Sequence, residues 1–167
     1  ARKFNSMFGQ TFPEPQRFAT AGQYIPSLTG EGKMSKSVEG SYINLTDDLE
    51  TIKKHLAAAP TDSGQIGGEI PQKGGVANLF TLLKLFTNDS TYKKFEEDYR
   101  EKRIRYSEMK DVLSEAIYKE LKPFQEKRNE LLQKPDYIDS VIKEGIEKCR
   151  QTAEETMKEV REKMGLV

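Results

Sequence analysis

The sequence has 167 residues, the length of one ordinary domain or of a domain with part of another attached. Its 27 basic and 27 acidic residues cancel, so recognition of an anion must rest on a local cluster of charge and not on an overall field. A single cysteine excludes an internal disulfide, and with a single histidine it argues against a Cys/His zinc site, so we predict no metal site.

No segment is typical of a membrane span or a secretion signal. The longest uncharged apolar run covers residues 76–83, far fewer than the roughly 20 residues that cross a bilayer. No charged and apolar leader precedes the first ordered segment. We therefore expect a cytoplasmic protein without membrane contacts.

The first 45 residues mix short apolar runs with glycine and proline. Residues 2–8 have the pattern of an amphipathic helix that ends at Gly9. The segment Gln23–Leu28 predicts one short strand, followed by a glycine-flanked loop over residues 29–37. This part therefore holds at most one strand.

Residues 46–167 are predicted to be helical almost throughout, and we place the domain boundary between residues 45 and 46. Asp47 is predicted to cap the first helix of this region, and Ser90 a later one. Between them, an apolar pattern over residues 76–86 predicts a helix that is buried on most sides. We expect its core residues to include Phe80, Leu83 and Phe86.

Two long helices complete the prediction. The first covers Tyr106–Leu132, with a kink near Glu120 because Pro123 removes a backbone donor. The second starts at Pro135 and carries one apolar seam, in which we expect a buried, inert thiol at Cys149. The seam consists of Ile138, Val141, Ile142, Ile146, Cys149, Ala153, Met157, Val160 and Met164.

One loop has residues suited to phosphate chemistry. In Gly30–Ser37, Lys33 and Lys36 lie three residues apart, and Lys36 stands between two serines. Such a loop can bring ammonium groups and backbone donors onto a polyphosphate. The pattern of the common phosphate loop is not met, because Ser27 and Met34 occupy its deciding places. Residue types alone also allow a plain surface linker.

The letters of residues 33–37, Lys-Met-Ser-Lys-Ser, form the KMSKS signature of class I aminoacyl-tRNA synthetases. With further short motifs in the same order, nearly the whole sequence resembles the C-terminal half of the bacterial tryptophan–tRNA ligase family. A relation to the tyrosine enzyme is disfavoured by the downstream motifs. The matching segments include Arg2–Asn5, Phe12–Pro13, Ile43–Asp47, Ile52–Lys54, Thr61–Ser63, Gly75–Leu79, Leu121–Pro123 and Arg161–Leu166.

The resemblance implies a mainly α fold. Residues 1–45 would be an incomplete α/β (Rossmann) remnant of the catalytic domain that carries the KMSKS loop. Residues 46–167 would be a helical anticodon- and tRNA-binding domain.

The resemblance also implies the roles of the loop residues. Lys33 and Lys36 would bind the phosphates of ATP and stabilise the departing pyrophosphate, with Lys36 as the main contributor. ATP with Mg²⁺ is the implied cofactor. Residues 38–40 depart from the Asp-Pro-Asn that is usual after the signature. The ATP-binding set implied is Ile25, Lys33, Met34, Ser35, Lys36 and Ser37.

The whole enzyme would activate tryptophan with ATP, attach it to tRNA and act as a homodimer. The other class I signature, HIGH, does not occur in the sequence, so the chain alone is expected to be inactive. His55 follows the lysine loop inside a predicted helix and is not expected to take part in chemistry. An alternative from another class is a non-catalytic helical module that binds RNA or protein and retains KMSKS as a relic.

A second basic cluster lies between two predicted helices, next to Tyr99 and Tyr106. Basic side chains interleaved with aromatic rings suit phosphate contact and base stacking, so we consider a tRNA contact there. The alternative is a solvated helix junction balanced by nearby acidic residues. The candidate tRNA-binding residues are Arg100, Lys102, Arg103 and Arg105.

Overall fold

A computed structural model describes residues 1–20, 22–64 and 66–166, and in these ranges it contains six α-helices and no strand. The predicted mainly helical fold is confirmed. None of the described helices is both long and apolar enough to cross a membrane. The helices are α1 Arg2–Phe8, α2 Leu49–Ala58, α3 Gly75–Phe86, α4 Asp89–Arg100, α5 Tyr106–Leu132 and α6 Pro135–Met164.

The chain divides into two compact units. The large unit is Thr20–Arg128, and the small unit combines Ala1–Ala19 with Asn129–Val167. These units are defined by contacts within the chain. The predicted division at residues 45 and 46 concerns the domains that the family resemblance implies, and it stays a prediction.

The core of the large unit forms around α3, whose sequence is apolar on most sides. Phe80 and Leu83 are buried as predicted, whereas Phe86 is half-buried and packs against the core. The ring of Phe80 meets that of Tyr99 edge to face at 5.8 Å between centroids, which joins α3 to α4. The other helices contribute further large buried side chains, namely Ile52, Leu56, Phe95, Met109, Leu113 and Ile117.

Both predicted helix caps are wrong by one or two residues. Asp48, not Asp47, caps α2, with its carboxylate accepting from the backbone N–H of Thr51 at 2.8 Å. Asp47 instead accepts from the backbone N–H of Asn44 at 2.8 Å and so closes the preceding turn. Adjacent Asp residues offer the same cap chemistry, so sequence spacing alone does not choose between them.

The cap of α4 shows the same kind of difference. Asn88 is the cap, and its side-chain oxygen accepts from the backbone N–H of Thr91 at 2.9 Å. The Ser90 hydroxyl donates to that same oxygen at 2.7 Å. Ser90 therefore supports the cap and lies within the first turn of the helix.

The predicted strand Gln23–Leu28 does not form. The segment makes only an isolated antiparallel bridge between Pro26 and Lys33. Pro26 has no N–H to donate, and the paired segment is too short to build a ladder. The α/β remnant predicted for residues 1–45 is therefore irregular chain after α1 in the residues described.

In the small unit, α1 and the loop after it pack on the last turns of α6. The Phe4 ring lies 4.9 Å from Phe8 and 5.1 Å from Phe12, centroid to centroid. The Nζ of Lys163 donates to the hydroxyl of Thr11 at 2.7 Å. These contacts fix residues 1–12 against the end of α6.

The seam of α6 is largely exposed, contrary to the prediction. Only Val160 is buried among the helix residues that the structure describes. Ile142 and Ile146 each expose 53% of their surface. Cys149 is exposed as well, so its predicted burial is wrong. An apolar stripe indicates which face of a helix favours burial. The stripe becomes buried only where a second surface covers it.

Candidate functional site

The KMSKS loop folds back on the segment before it. The backbone N–H of Met34 donates to the carbonyl of Ile25 at 3.0 Å, and that of Ser27 donates to the carbonyl of Gly32 at 3.0 Å. These two bonds hold the loop next to Ile25. The structure thereby brings together Ile25, Lys33 and Met34, which the sequence predicts as parts of one site.

A buried serine closes the other end of the loop. The Ser41 hydroxyl donates to the carbonyl of Ser35 at 2.8 Å and accepts from the Ser35 N–H at 3.2 Å. The Ser35 hydroxyl in turn accepts from the backbone N–H of Ser37 at 3.3 Å. Residues 35–41 therefore form a closed turn. Sequence reasoning missed Ser41, because a lone serine in a loop carries no signal of burial.

The loop is also tied to α3. The Asn78 side-chain amide donates to the carbonyl of Ser27 at 2.8 Å, and the Ser27 hydroxyl shares a 2.7 Å hydrogen bond with that of Thr29. Ser27 exposes only 1% of its surface. The sequence signal that could have indicated this contact is Asn78, a polar residue between the buried Ala77 and Leu79.

The lysine side chains of the loop are free for a ligand. Lys33 and Lys36 are both exposed, and neither forms an ion pair with any residue that the structure describes. The backbone around them is held by Ser41 and Ser27, whereas the ammonium groups are uncommitted. This combination of a fixed loop and free cations suits an anionic ligand.

An apolar cavity of about 380 Å³ lies beside the loop. Ile25, Lys33 and Met34 form one wall of the cavity, while Lys36 and Ser37 lie outside it. A cavity with apolar walls and one charged side chain at its edge can hold a flat, largely apolar group. Other parts of the lining come from α3, α5 and the segment before α2, with side chains of Ile43, Leu45, Leu82, Phe86, Ile117 and Leu121.

The basic cluster at the junction of α4 and α5 is partly neutralised. Arg100 pairs with Glu96 at 3.3 Å, and Arg103 pairs with Asp98 at 3.3 Å and Glu101 at 2.9 Å. Acidic residues therefore balance two of the four predicted tRNA-binding residues. The alternative of a charge-balanced junction therefore describes Arg100 and Arg103, and a tRNA contact at the junction stays a prediction.

The other two cations of the junction have no such partners. Lys102 and Arg105 are exposed and form no ion pair within the described part of the chain. Arg105 lies near enough to Glu108 to help lower the pKa of that carboxyl, although Lys94 is the main cause. Lys102 and Arg105 are thus the two exposed cations of this junction that no ion pair with a described residue neutralises.

Asp62 links the junction to the glycine-rich loop before α3. Its carboxylate accepts from the hydroxyls of Tyr99 at 3.1 Å and Tyr106 at 2.8 Å, and from the backbone N–H of Gly64 at 2.7 Å. Burial, and then the bond to Asp62, raise the pKa of Tyr106 well above its usual range. The sequence showed the motif Thr61-Asp62-Ser63 but gave no role for it.

His55 is half-exposed on α2, with its Nε2 3.8 Å from the carboxylate of Asp47. Within the described ranges, no group of three or more His, Cys, Asp or Glu side chains could hold a metal ion.

Comparison with known proteins adds to this geometry. Residues 1–122 match the family described as tRNA synthetases class I (W and Y). Tryptophan–tRNA ligase of Porphyromonas gingivalis is 37% identical over 99% of this chain and 51% of its own length, and that of Aquifex aeolicus is 36% identical over 99% and 42%. The chain thus spans about half the length of the curated relatives it matches.

Solved structures agree with the sequence comparison. The crystal structure of tryptophanyl-tRNA synthetase from Campylobacter jejuni, complexed with ADP and tryptophan, has a TM-score of 0.71 and 30% sequence identity. It covers 99% of this chain and 51% of the C. jejuni chain. The resemblance predicted from the sequence, to the C-terminal half of tryptophan–tRNA ligases, is confirmed. The chain belongs to the class I tRNA synthetases of the tryptophan and tyrosine family.

Proposed function

We propose that this chain is part of a tryptophan–tRNA ligase and supplies its ATP-phosphate loop and a helical tRNA-binding region. The observation that carries the proposal is the KMSKS loop, whose backbone is fixed by hydrogen bonds while Lys33 and Lys36 stay exposed and unpaired within the described residues. Membership of the synthetase family supports it.

In the activation step, the carboxylate of tryptophan attacks the α-phosphorus of ATP and the bond to the β-phosphate oxygen breaks. Negative charge develops on the departing pyrophosphate, and the ammonium groups of Lys36 and Lys33 stabilise it. Met34, Ser35 and Ser37 shape the loop. The backbone of Ile25, a residue that lines the apolar cavity, would hold the adenine ring.

Mg²⁺ enters with ATP in this proposal. Lysine ammonium groups and backbone N–H groups suit phosphate oxygens and not a cation. The ion would therefore be held by the phosphates and would neutralise part of their charge, while the two lysines neutralise the rest.

The tryptophan pocket and the HIGH signature would be supplied by the remainder of a longer cytoplasmic enzyme, acting as a homodimer. Two lysines provide electrostatic stabilisation but do not position both substrates. The chain by itself is accordingly proposed to be inactive in aminoacylation.

The test of the ATP loop is Lys36→Ala in a complete enzyme that contains this chain. We expect the rate of tryptophan-dependent ATP–pyrophosphate exchange to fall about 10²-fold, as for loss of one transition-state contact. Lys119→Ala, an exposed lysine of α5, is the matched control and retains the rate. An unchanged rate in Lys36→Ala would favour the non-catalytic helical module that keeps KMSKS as a relic.

The tRNA-binding region is tested separately with the chain itself. Tryptophan tRNA transcripts with the native and an altered anticodon are titrated across a salt series. We expect tighter binding of the native anticodon. Equal affinities that merely fall with salt would mean phosphate attraction without sequence readout.

A further inference from the structure

Lys102 has an unusual backbone conformation. It is the one residue other than glycine with a positive φ, 59°, in the ranges that the structure describes. Its N–H donates to the carbonyl of Tyr99 at 3.1 Å, and the next N–H, that of Arg103, donates to the carbonyl of Asp98 at 2.9 Å. This pair of bonds is the Schellman turn that ends many helices, and glycine is the usual residue at its left-handed position.

The glycine-rich loop holds this turn from the side. A Cβ added to Gly67 would lie 2.6 Å from Cγ of Lys102 and 3.1 Å from the carbonyl oxygen of Arg100. One added to Gly64 would lie 3.3 Å from the carbonyl oxygen of Ile104. The loop therefore passes directly against the stem of Lys102, although the residue as a whole stays exposed.

The carboxylate of Asp62 fastens the same loop to both ends of the junction. Tyr99 precedes the turn, Tyr106 follows it, and both hydroxyls donate to Asp62. The segment between them is thus held at three points, namely the two tyrosines and Gly67. A non-glycine residue kept in an unfavourable conformation at such a fixed place is a reason to look for a function in its side chain.

The four candidate tRNA-binding residues at the junction differ in their ion pairing. Arg100 and Arg103 are neutralised by ion pairs, whereas Lys102 and Arg105 have none within the described residues. An anion can therefore bind Lys102 and Arg105 without displacing an acidic partner, whereas at Arg100 and Arg103 it must compete with one. Since all four residues lie within six positions of the chain, ion pairing and not position in the sequence makes the difference.

We propose that Lys102 and Arg105 are the residues of this junction that contact the RNA phosphate backbone, with Lys102 presented by a left-handed turn that Gly67 and Asp62 hold in place. The inference rests on the proposed function of tRNA binding. Of the four candidate tRNA-binding residues, it retains Lys102 and Arg105. It also gives Asp62, which lies outside the KMSKS loop, a positioning role.

The test compares Lys102→Gly with Lys93→Ala in the full chain. Lys93 is an exposed lysine of α4, so its removal is a matched change of one charge. Affinity for a tryptophan tRNA transcript is measured at several salt concentrations, and the melting temperature of each variant is recorded. Glycine is relaxed at positive φ, so Lys102→Gly is expected to melt no lower than the unsubstituted chain.

For Lys102→Gly we expect about fivefold weaker binding at 0.1 M salt, and a slope of log affinity against log salt that is smaller by about 0.7–0.9, equal to one phosphate contact. Adding Arg105→Ala should lower the slope by a similar amount again. Lys93→Ala should bind within about twofold of the unsubstituted chain.

Any of three results would overturn the inference. Unchanged affinity and slope in Lys102→Gly, with normal binding by the unsubstituted chain, would exclude Lys102 and leave tRNA binding standing. Failure of the unsubstituted chain to bind the transcript would remove the proposed tRNA binding together with this inference. An equal loss in Lys93→Ala would show that net charge alone, and not this junction, determines the affinity.

Discussion

The side-chain amide of Asn78 donates a hydrogen bond to the backbone carbonyl of Ser27 across 2.8 Å. This bond connects the first turns of α3, the most buried helix of the large unit, to the segment that pairs with the KMSKS loop. Because Ser27 is almost completely buried, its carbonyl has little access to water and depends on Asn78. The core helix therefore holds the loop through one polar contact.

Removal of that contact should destabilise the large unit. In Asn78→Ala, the carbonyl of Ser27 loses its partner, and we expect the free energy of unfolding to fall by about 1–3 kcal/mol. Urea unfolding measures the change. Lys84→Ala, on the exposed side of the same helix, should stay within about 0.5 kcal/mol of the unsubstituted chain. Equal stabilities of the two variants would show that the tie is unimportant.

Two glycines should respond to alanine in opposite directions. An added Cβ on Gly75 would lie 2.0 Å from the carbonyl oxygen of Pro60, a backbone atom with little freedom to move. We expect Gly75→Ala to lower the free energy of unfolding by about 3 kcal/mol or to prevent folding.

Gly145 is the glycine at which alanine should be stabilising, in contrast to Gly75. It lies inside α6, and a Cβ there would meet nothing within 4 Å. Gly145→Ala should therefore raise the stability of the helix by about 0.5–1 kcal/mol. Thermal unfolding of both variants checks the pair, and a lower melting temperature for Gly145→Ala would contradict the described environment of α6.

Helix positions in this chain could be predicted from the sequence because periodicity and proline are local signals. The bounds Tyr106–Leu132 and the start of α6 at Pro135 are confirmed. The sequence alone could not show whether Asp47 or Asp48 caps α2. The choice depends on which carboxylate accepts from the backbone N–H of Asn44, in the preceding turn, and which from that of Thr51.

The sequence predicted some residues of the candidate site and missed the roles of others. Lys33 and Lys36 were found because the KMSKS letters carry family information. Ser41 and Asp62 were not given roles, because their partners are Ser35 in one case and the tyrosines of a distant junction in the other. Contacts of this kind depend on how the chain folds back and have no periodic pattern in the sequence.

The exposure of Cys149 leads to a chemical prediction. Its thiol lies on the outward seam of α6, so a thiol reagent should modify it in the native chain nearly as fast as in the chain unfolded in urea. The time course of reaction with a chromogenic disulfide at pH 8 gives both rates. A native rate lower by 100-fold or more would mean that the seam is covered, as the sequence pattern first suggested.

The cluster of Asp62, Tyr99 and Tyr106 predicts how stability depends on pH. The pKa of both tyrosines is raised in the folded chain, first by burial and then by the bond to Asp62. A raised pKa of a tyrosine means that the folded state keeps its proton when the unfolded state has lost it. The stability that this difference in pKa contributes is fully present below about pH 10, the ordinary pKa of tyrosine. It is lost as the pH rises above that value.

Tyr106→Phe tests that dependence. Without the hydroxyl, Asp62 loses one donor, and we expect the free energy of unfolding at pH 7 to fall by about 1 kcal/mol. Between pH 9.5 and 11, however, Tyr106→Phe should lose less stability than the unsubstituted chain, because it has one proton fewer to release on unfolding. Urea unfolding at each pH measures both effects. Tyr137→Phe, which removes an exposed hydroxyl from α6, is the control and should follow the unsubstituted chain. If Tyr106→Phe and the unsubstituted chain lost stability in parallel over this range, the bond between Tyr106 and Asp62 would not be the source of the pH dependence.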